Sequence, residues 1–246
     1  VMTVAGMVLV YDIFPAPLDS KNDGYLLTIL TNTTNREAYN EMLLAEDKLA
    51  HGIPAGDTPV YDNVTDFTAS VNDLTLYSYL GKGDMKGALS IIEKTINSKE
   101  HVSSRLYKEA IAAKTAIMID TLSLEEAKQY FVKLPLEDKK YLASLSSASA
   151  IRAYVLANGL IEGSQSETDA ALEKAPNVLH KLPKEKRIIE KKLLNASIDK
   201  VSALHPDWNL AEYGYGSKKE ETSTETKPAE EVKPVEESKP AEVKPE

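Results

Sequence analysis

Apolar residues return every three or four positions through most of this chain, interrupted at short intervals by glycine, proline and capping residues, and that pattern commits it to short packed helices. The pattern is clearest over 74–96. Leu74, Leu76, Tyr77, Tyr79 and Leu80 precede Gly81; Gly83 and Asp84 then supply a turn, and Ala88, Leu89, Ile92 and Ile96 share the next face. Two helices joined this closely are expected to lie antiparallel. The small Ala88 sits where they would cross.

The same spacing predicts helices over 36–51, 103–120, 123–134, 136–145, 148–158, 166–174 and 184–204. Ser123 and Glu126 form the S-x-x-E box that starts a helix. Ser146-Ser147, 159–163, Pro176 and Pro183 read as breakers. The expected fold is mainly α, a stack of antiparallel helical hairpins occupying 36–213, although no strict sequence period marks a uniform repeat array. The least regular stretch, 53–73, is rich in Asp, Asn, Gly and Pro and reads as a long loop, a kind of segment that tends to carry function.

Both ends differ from this middle. Residues 1–14 are an apolar segment in which Thr3 is the sole polar side chain among the first ten. They read either as the end of a membrane helix closed by Tyr11, Phe14 and Pro15, or as a strand, 7–14, paired with 25–31 around Asn22-Asp23-Gly24. On the membrane reading, Asp12, Asp19 and Asp23 against a lone Lys21 put the following domain on the extracytoplasmic side. Residues 15–35 read as a linker. Residues 214–246 repeat Lys-Pro between glutamates, with no aromatic residue, Leu or Ile from Lys218 onward, and read as a disordered tail.

Composition narrows function by exclusion. A net charge of −9 argues against a nucleic-acid partner, since that affinity comes from concentrated basic surface. Without cysteine there is no thiolate chemistry, disulfide or Cys-ligated metal. His51, His101, His180 and His205 are far apart, no phosphate loop or nucleophile elbow occurs, and Glu125-Glu126 and Glu137-Asp138 sit where a helix dipole explains them. No catalytic residue, cofactor, metal or small molecule is therefore expected. The partner is expected to be another protein or a second copy, with a membrane contact through 1–14. The aromatic residues Tyr61, Phe67, Tyr77, Tyr79 and Tyr107 are its candidate contacts. A soluble structural or assembly protein of a viral or cytosolic complex is the alternative, and an enzyme with a scattered site a third possibility.

Tyr79, Gly83, Ala88, Leu89 and Ile92 resemble half of a tetratricopeptide repeat, in which Gly permits the turn and Ala the close crossing. The Trp, the Leu-Gly and the closing Pro of a full repeat are missing. The run 79–84 with Lys86, Ala88 and Ser90-Ile91 is also similar to a segment of the extracytoplasmic part of the EssB/YukC family of type VII secretion in Gram-positive bacteria. That resemblance covers some 20 residues and a shared layout of apolar start, hairpins and charged tail; the family's cytoplasmic pseudokinase-like part has no counterpart here. It implies a membrane-tethered, extracytoplasmic scaffold in a bacterial secretion or envelope assembly.

Overall fold

The computed structural model describes residues 30–50 and 58–214. The apolar segment 1–14, most of the linker, the first part of the expected loop and the tail beyond Gly214 lie outside the described residues. Among the described residues the chain is helical and has no strand. Leu30 is itself helical and Thr31 a turn, so the last two residues of the strand expected over 25–31 are not strand.

Nine α-helices follow in order among the described residues: α1 Thr33–Ala50, α2 Asp66–Lys82, α3 Met85–Asn97, α4 Ser104–Thr121, α5 Leu124–Lys133, α6 Leu136–Ala143, α7 Ala148–Leu156, α8 Gln165–Leu179 and α9 Lys184–Leu204. Their starts are chemically marked. Ser103, Ser123 and Ser147 each accept a backbone N–H from the first turn of α4, α5 and α7, and Asp84 does the same for α3. Gly83 ends α2 in the left-handed region at φ 76°, a conformation that costs a side-chain-bearing residue energy.

Two expected breaks are shorter than expected and a third is absent. The loop expected over 53–73 gives way to α2 at Asp66, because Thr65 and Thr68 cap each other reciprocally: Thr65 N–H donates to Thr68 Oγ1 at 2.7 Å and Thr68 N–H to Thr65 Oγ1 at 3.4 Å. Of the Asp and Asn residues of that stretch, Asp62 and Asn63 stay in the segment before α2, Asp66 opens the helix, and Asn72 is buried within it. At the far end of α7, the expected break over 159–163 is a π-turn, Ala157–Glu162, closed by Gly163 at φ 66°. Pro176 lies inside α8, where the helix continues to Leu179 and the Pro176 carbonyl still accepts from His180 N–H.

Successive helices from α1 to α4 pack on one another, whereas α7 packs against α4, α6, α8 and α9. Small residues allow that central position. Ala112 and Ala116 of α4 meet Ala150, Ala153 and Ala157 in one core layer with Leu142 and Leu156. A second layer joins α7, α8 and α9 through Ile151, Val155, Leu172, Leu179, Leu194, Ile198 and Val201, closed by Trp208 and Leu210 from the two 3₁₀ turns that follow α9. A third holds Leu80, Ala88, Ile92, Ala110 and Ile117 between α2, α3 and α4, with Ile189 and Leu193 of α9 against it. Thus α9 reaches back to α2, bringing residues more than 100 positions apart into contact.

Candidate partner-binding cleft

The segment before α2 is fastened to it by side chains. Asn72, buried, accepts Tyr61 N–H at 2.8 Å and donates to the Tyr61 carbonyl at 2.9 Å, while Thr58 and Thr75 share a hydroxyl hydrogen bond of 2.8 Å. This holds Ala69, Asn72, Asp73, Leu76 and Tyr77 of α2 along one wall of a cleft of about 380 Å³. Ile91, Ile92 and Thr95 of α3, with Arg105, Leu106, Glu109, Ala110 and Ala113 of α4, continue that wall. The connection into α7 (Ser146, Ser147, Ala148, Ser149) and the passage from α8 into α9 (Val178, Lys181 to Pro183, Lys186, Glu190) face it.

An ionic network closes the back of the cleft. Lys186 of α9 pairs with Asp73 of α2, and its ammonium lies 4.9 Å from the centre of the Tyr77 ring. The Tyr77 hydroxyl donates to Glu190 Oε1 at 2.9 Å. Glu190 Oε2 stands 3.6 Å from Nη1 of Arg152, and both side chains are almost wholly buried, at 2% and 5% exposure. Burial pushes the Tyr77 phenol far up, and the negative charges of Glu190 and Asp73 add to it, so the group stays a hydrogen-bond donor. The Arg152 Nη2 atom has no hydrogen-bond partner among the described residues. Burying these charges is costly, and their mutual pairing offsets that cost only in part.

Of the five aromatic residues singled out in the sequence, Tyr77 alone lines this cleft. Tyr61 lies half-buried on the segment before α2, its phenol raised by burial and then by Glu41 and Glu37 of α1. Phe67 meets Tyr39 edge to face, with ring centres 6.4 Å apart. Tyr79 packs in the α2–α3 crossing against Gly87, where an added Cβ would fall 2.8 Å from the ring. Tyr107 stands under Lys99, 5.1 Å from its ammonium.

Sequence reasoning missed Asp73, Arg152, Lys186 and Glu190. One signal was available: Arg152 is the single charged residue in the otherwise mostly apolar run 148–161. A charge in such a run needs a buried partner, though nothing local says which residue provides it.

A second groove, also about 380 Å³, lies where the end of α4, the start of α5 and the end of α9 meet the π-turn. Ile119, Leu122, Leu124, Leu160 and Leu204 line it, and Lys200 pairs with Asp120 at 2.6 Å on its edge. Among the described residues no three acidic or histidine side chains come together to hold a metal, and no helix is long and apolar enough to cross a membrane. The chain matches no protein-family model, no curated protein and no solved structure.

Proposed function

We propose that the chain is a non-enzymatic helical interaction module that holds a segment of a protein partner in the cleft around Tyr77. One observation carries this reading: segments from α2, α3, α4, the entry to α7 and the passage into α9 converge on one concavity. Its floor includes the apolar Leu76, Leu80, Ala110 and Ala113, and its lining includes exposed polar residues at Ser70, Arg105 and Lys181. Apolar floor with polar rim is the composition of peptide-binding grooves on helical proteins. The titratable groups at the back are engaged with one another, which suits a fixed shape better than proton transfer.

The left-handed Gly83, the fully buried Ala88 and the Tyr79 ring lying against α3 support a tetratricopeptide-like hairpin at α2–α3. On the resemblance to the EssB/YukC ectodomain, the module is tethered through 1–14 on the outer face of a bacterial membrane, as part of a secretion or envelope assembly. The apolar start and the charged tail support that placement.

Photo-crosslinking in the native cell tests the cleft. A benzophenone amino acid at Ser70, Arg105 or Lys181 is expected to capture a discrete protein, whereas one at Val132, exposed on α5 away from the cleft, is not. Capture at position 132 alone, or at none of these positions, refutes the assignment. Membrane fractionation with protease outside intact cells tests the tether; a soluble, protected protein would instead point to an intracellular assembly.

A further inference from the structure

We infer that the docking segment is acidic: a short stretch of the partner in which an apolar side chain is flanked by aspartate or glutamate. The inference rests on the cleft reading above and deepens it. Every carboxylate lining the cleft already has a cation. Asp73 is paired with Lys186, Glu109 Oε1 lies 3.3 Å from Arg105 Nε, and Glu190 is shared by Arg152 and the Tyr77 hydroxyl. None is left over to receive a basic partner.

The cations are not all used in this way. Lys181 lines the cleft, is exposed, and its ammonium has no carboxylate partner among the described residues. Lys184, next after the lining residue Pro183, is exposed and also unpaired among the described residues. Outside the lining itself, Arg187, Lys191 and Lys192 carry the same sign onward along α9, and over 181–192 the exposed Glu185 is the sole carboxylate unpaired among the described residues. This cationic excess stands on a chain whose overall charge is −9. Charge complementarity of this kind selects partners and speeds encounter more than it adds affinity, so the apolar floor at Leu76 and Leu80 must supply the anchor.

Panning a random 12-residue phage-display library on the full chain, followed by fluorescence anisotropy of the selected fluorescein-labelled peptides, tests this. Two variants, with folding checked by circular dichroism, read the site: Lys181→Glu/Lys184→Glu reverses the charge, and Ser149→Tyr, at a half-buried lining position, obstructs the cleft. The expected result is a net-negative consensus with a central apolar residue. Its binding should fall roughly five- to tenfold in the charge-reversed variant at low salt, a difference that shrinks at high salt, and fall also in Ser149→Tyr. Neutral or basic peptides that Ser149→Tyr blocks would overturn the charge inference and leave the docking reading standing. No enriched peptide, or peptides indifferent to Ser149→Tyr, would overturn both. Polyglutamate or heparin binding as tightly as the selected peptides would show a sequence-blind polyanion surface and overturn the inference.

Discussion

Replacing Gly159 by alanine should destabilise the protein, and the cause is a single contact. A Cβ built at this position would stand 2.4 and 2.5 Å from the two methyl carbons of Val201 and 3.1 Å from its Cβ. Carbon atoms rest at about 3.5–4.0 Å, so the new methyl intrudes by roughly 1 Å. Val201 is fully buried on α9 and, as a β-branched residue in a helix, has little rotamer freedom to turn away. Relief requires α9 to move off the π-turn. That movement also strains the hydrogen-bond contact of 2.9 Å between His205 Nε2 and the Gly159 carbonyl, and the stacking of His205 on Trp208 at 3.9 Å. Overpacking of this kind costs about 3 kcal/mol at its upper end, offset by at most about 1 kcal/mol from the better helix propensity of alanine. A net loss of about 2 kcal/mol lowers the urea midpoint by about 1 M for an m-value near 2 kcal/mol/M. Val201→Ala alone, which removes both methyls and leaves a cavity, should cost a similar amount. The double variant should cost about 2 kcal/mol instead of the additive sum of about 4, because the added methyl occupies the vacated space. Urea unfolding of the four proteins followed by circular dichroism measures the cycle. An unchanged midpoint for Gly159→Ala, or strict additivity in the double variant, refutes the close approach of the π-turn to α9.

The buried pair can be tested in the same way. Arg152→Met strands Glu190 and should cost about 3–5 kcal/mol, whereas Arg152→Met/Glu190→Met should recover most of that loss, as equilibrium unfolding will show. Tyr77 has its folded-state pKa raised above the unfolded value, so its contribution is present below about pH 10 and lost as pH rises beyond it; Tyr154, pushed up to about 12 by burial and its bond to Glu167, acts in the same direction. Stability should therefore fall above pH 10, and less steeply in Tyr77→Phe, read from urea midpoints between pH 9 and about 11. At the start of α5, Ser123→Ala should cost about 1 kcal/mol by denaturant unfolding. The hydrogen bonds from the Ser123 side chain and then its backbone hold Glu126 below the usual carboxylate range, so its contribution is present above an unfolded value near 4.5 and lost as pH falls through the folded one; Glu126→Gln should flatten that acid dependence.

Helix content was legible because its causes are local. Ser123 with Glu126 announces α5 by the same side-chain hydrogen bonds that the structure contains, and the three- and four-residue spacing marks which face of α3 turns inward. Local evidence also misled where two weak signals competed. Thr65 and Thr68 were hidden among Asp and Asn residues that favour turns, and Pro176 and Gly159 read as breakers although α8 runs on through the exposed Pro176 and the backbone at Gly159 continues as a π-turn packed against Val201. The candidate site was far less visible. Tyr77 was singled out as an aromatic residue, but Asp73, Arg152, Lys186 and Glu190 come from three helices and are ordinary charged residues until those helices meet.

The order of helices, their caps and their buried faces depend on hydrogen bonds and side-chain periods spanning a few residues, and a linear sequence records such terms directly. The central place of α7, the return of α9 to α2 and the cleft between them depend on contacts across about 40 to more than 100 residues. Those contacts are chosen by how small residues such as Ala112, Ala150 and Gly159 let backbones approach, and by which buried charge finds which partner. Shape complementarity and desolvation act between surfaces that exist only once the chain has folded, and for that reason the cleft belongs to the tertiary structure alone.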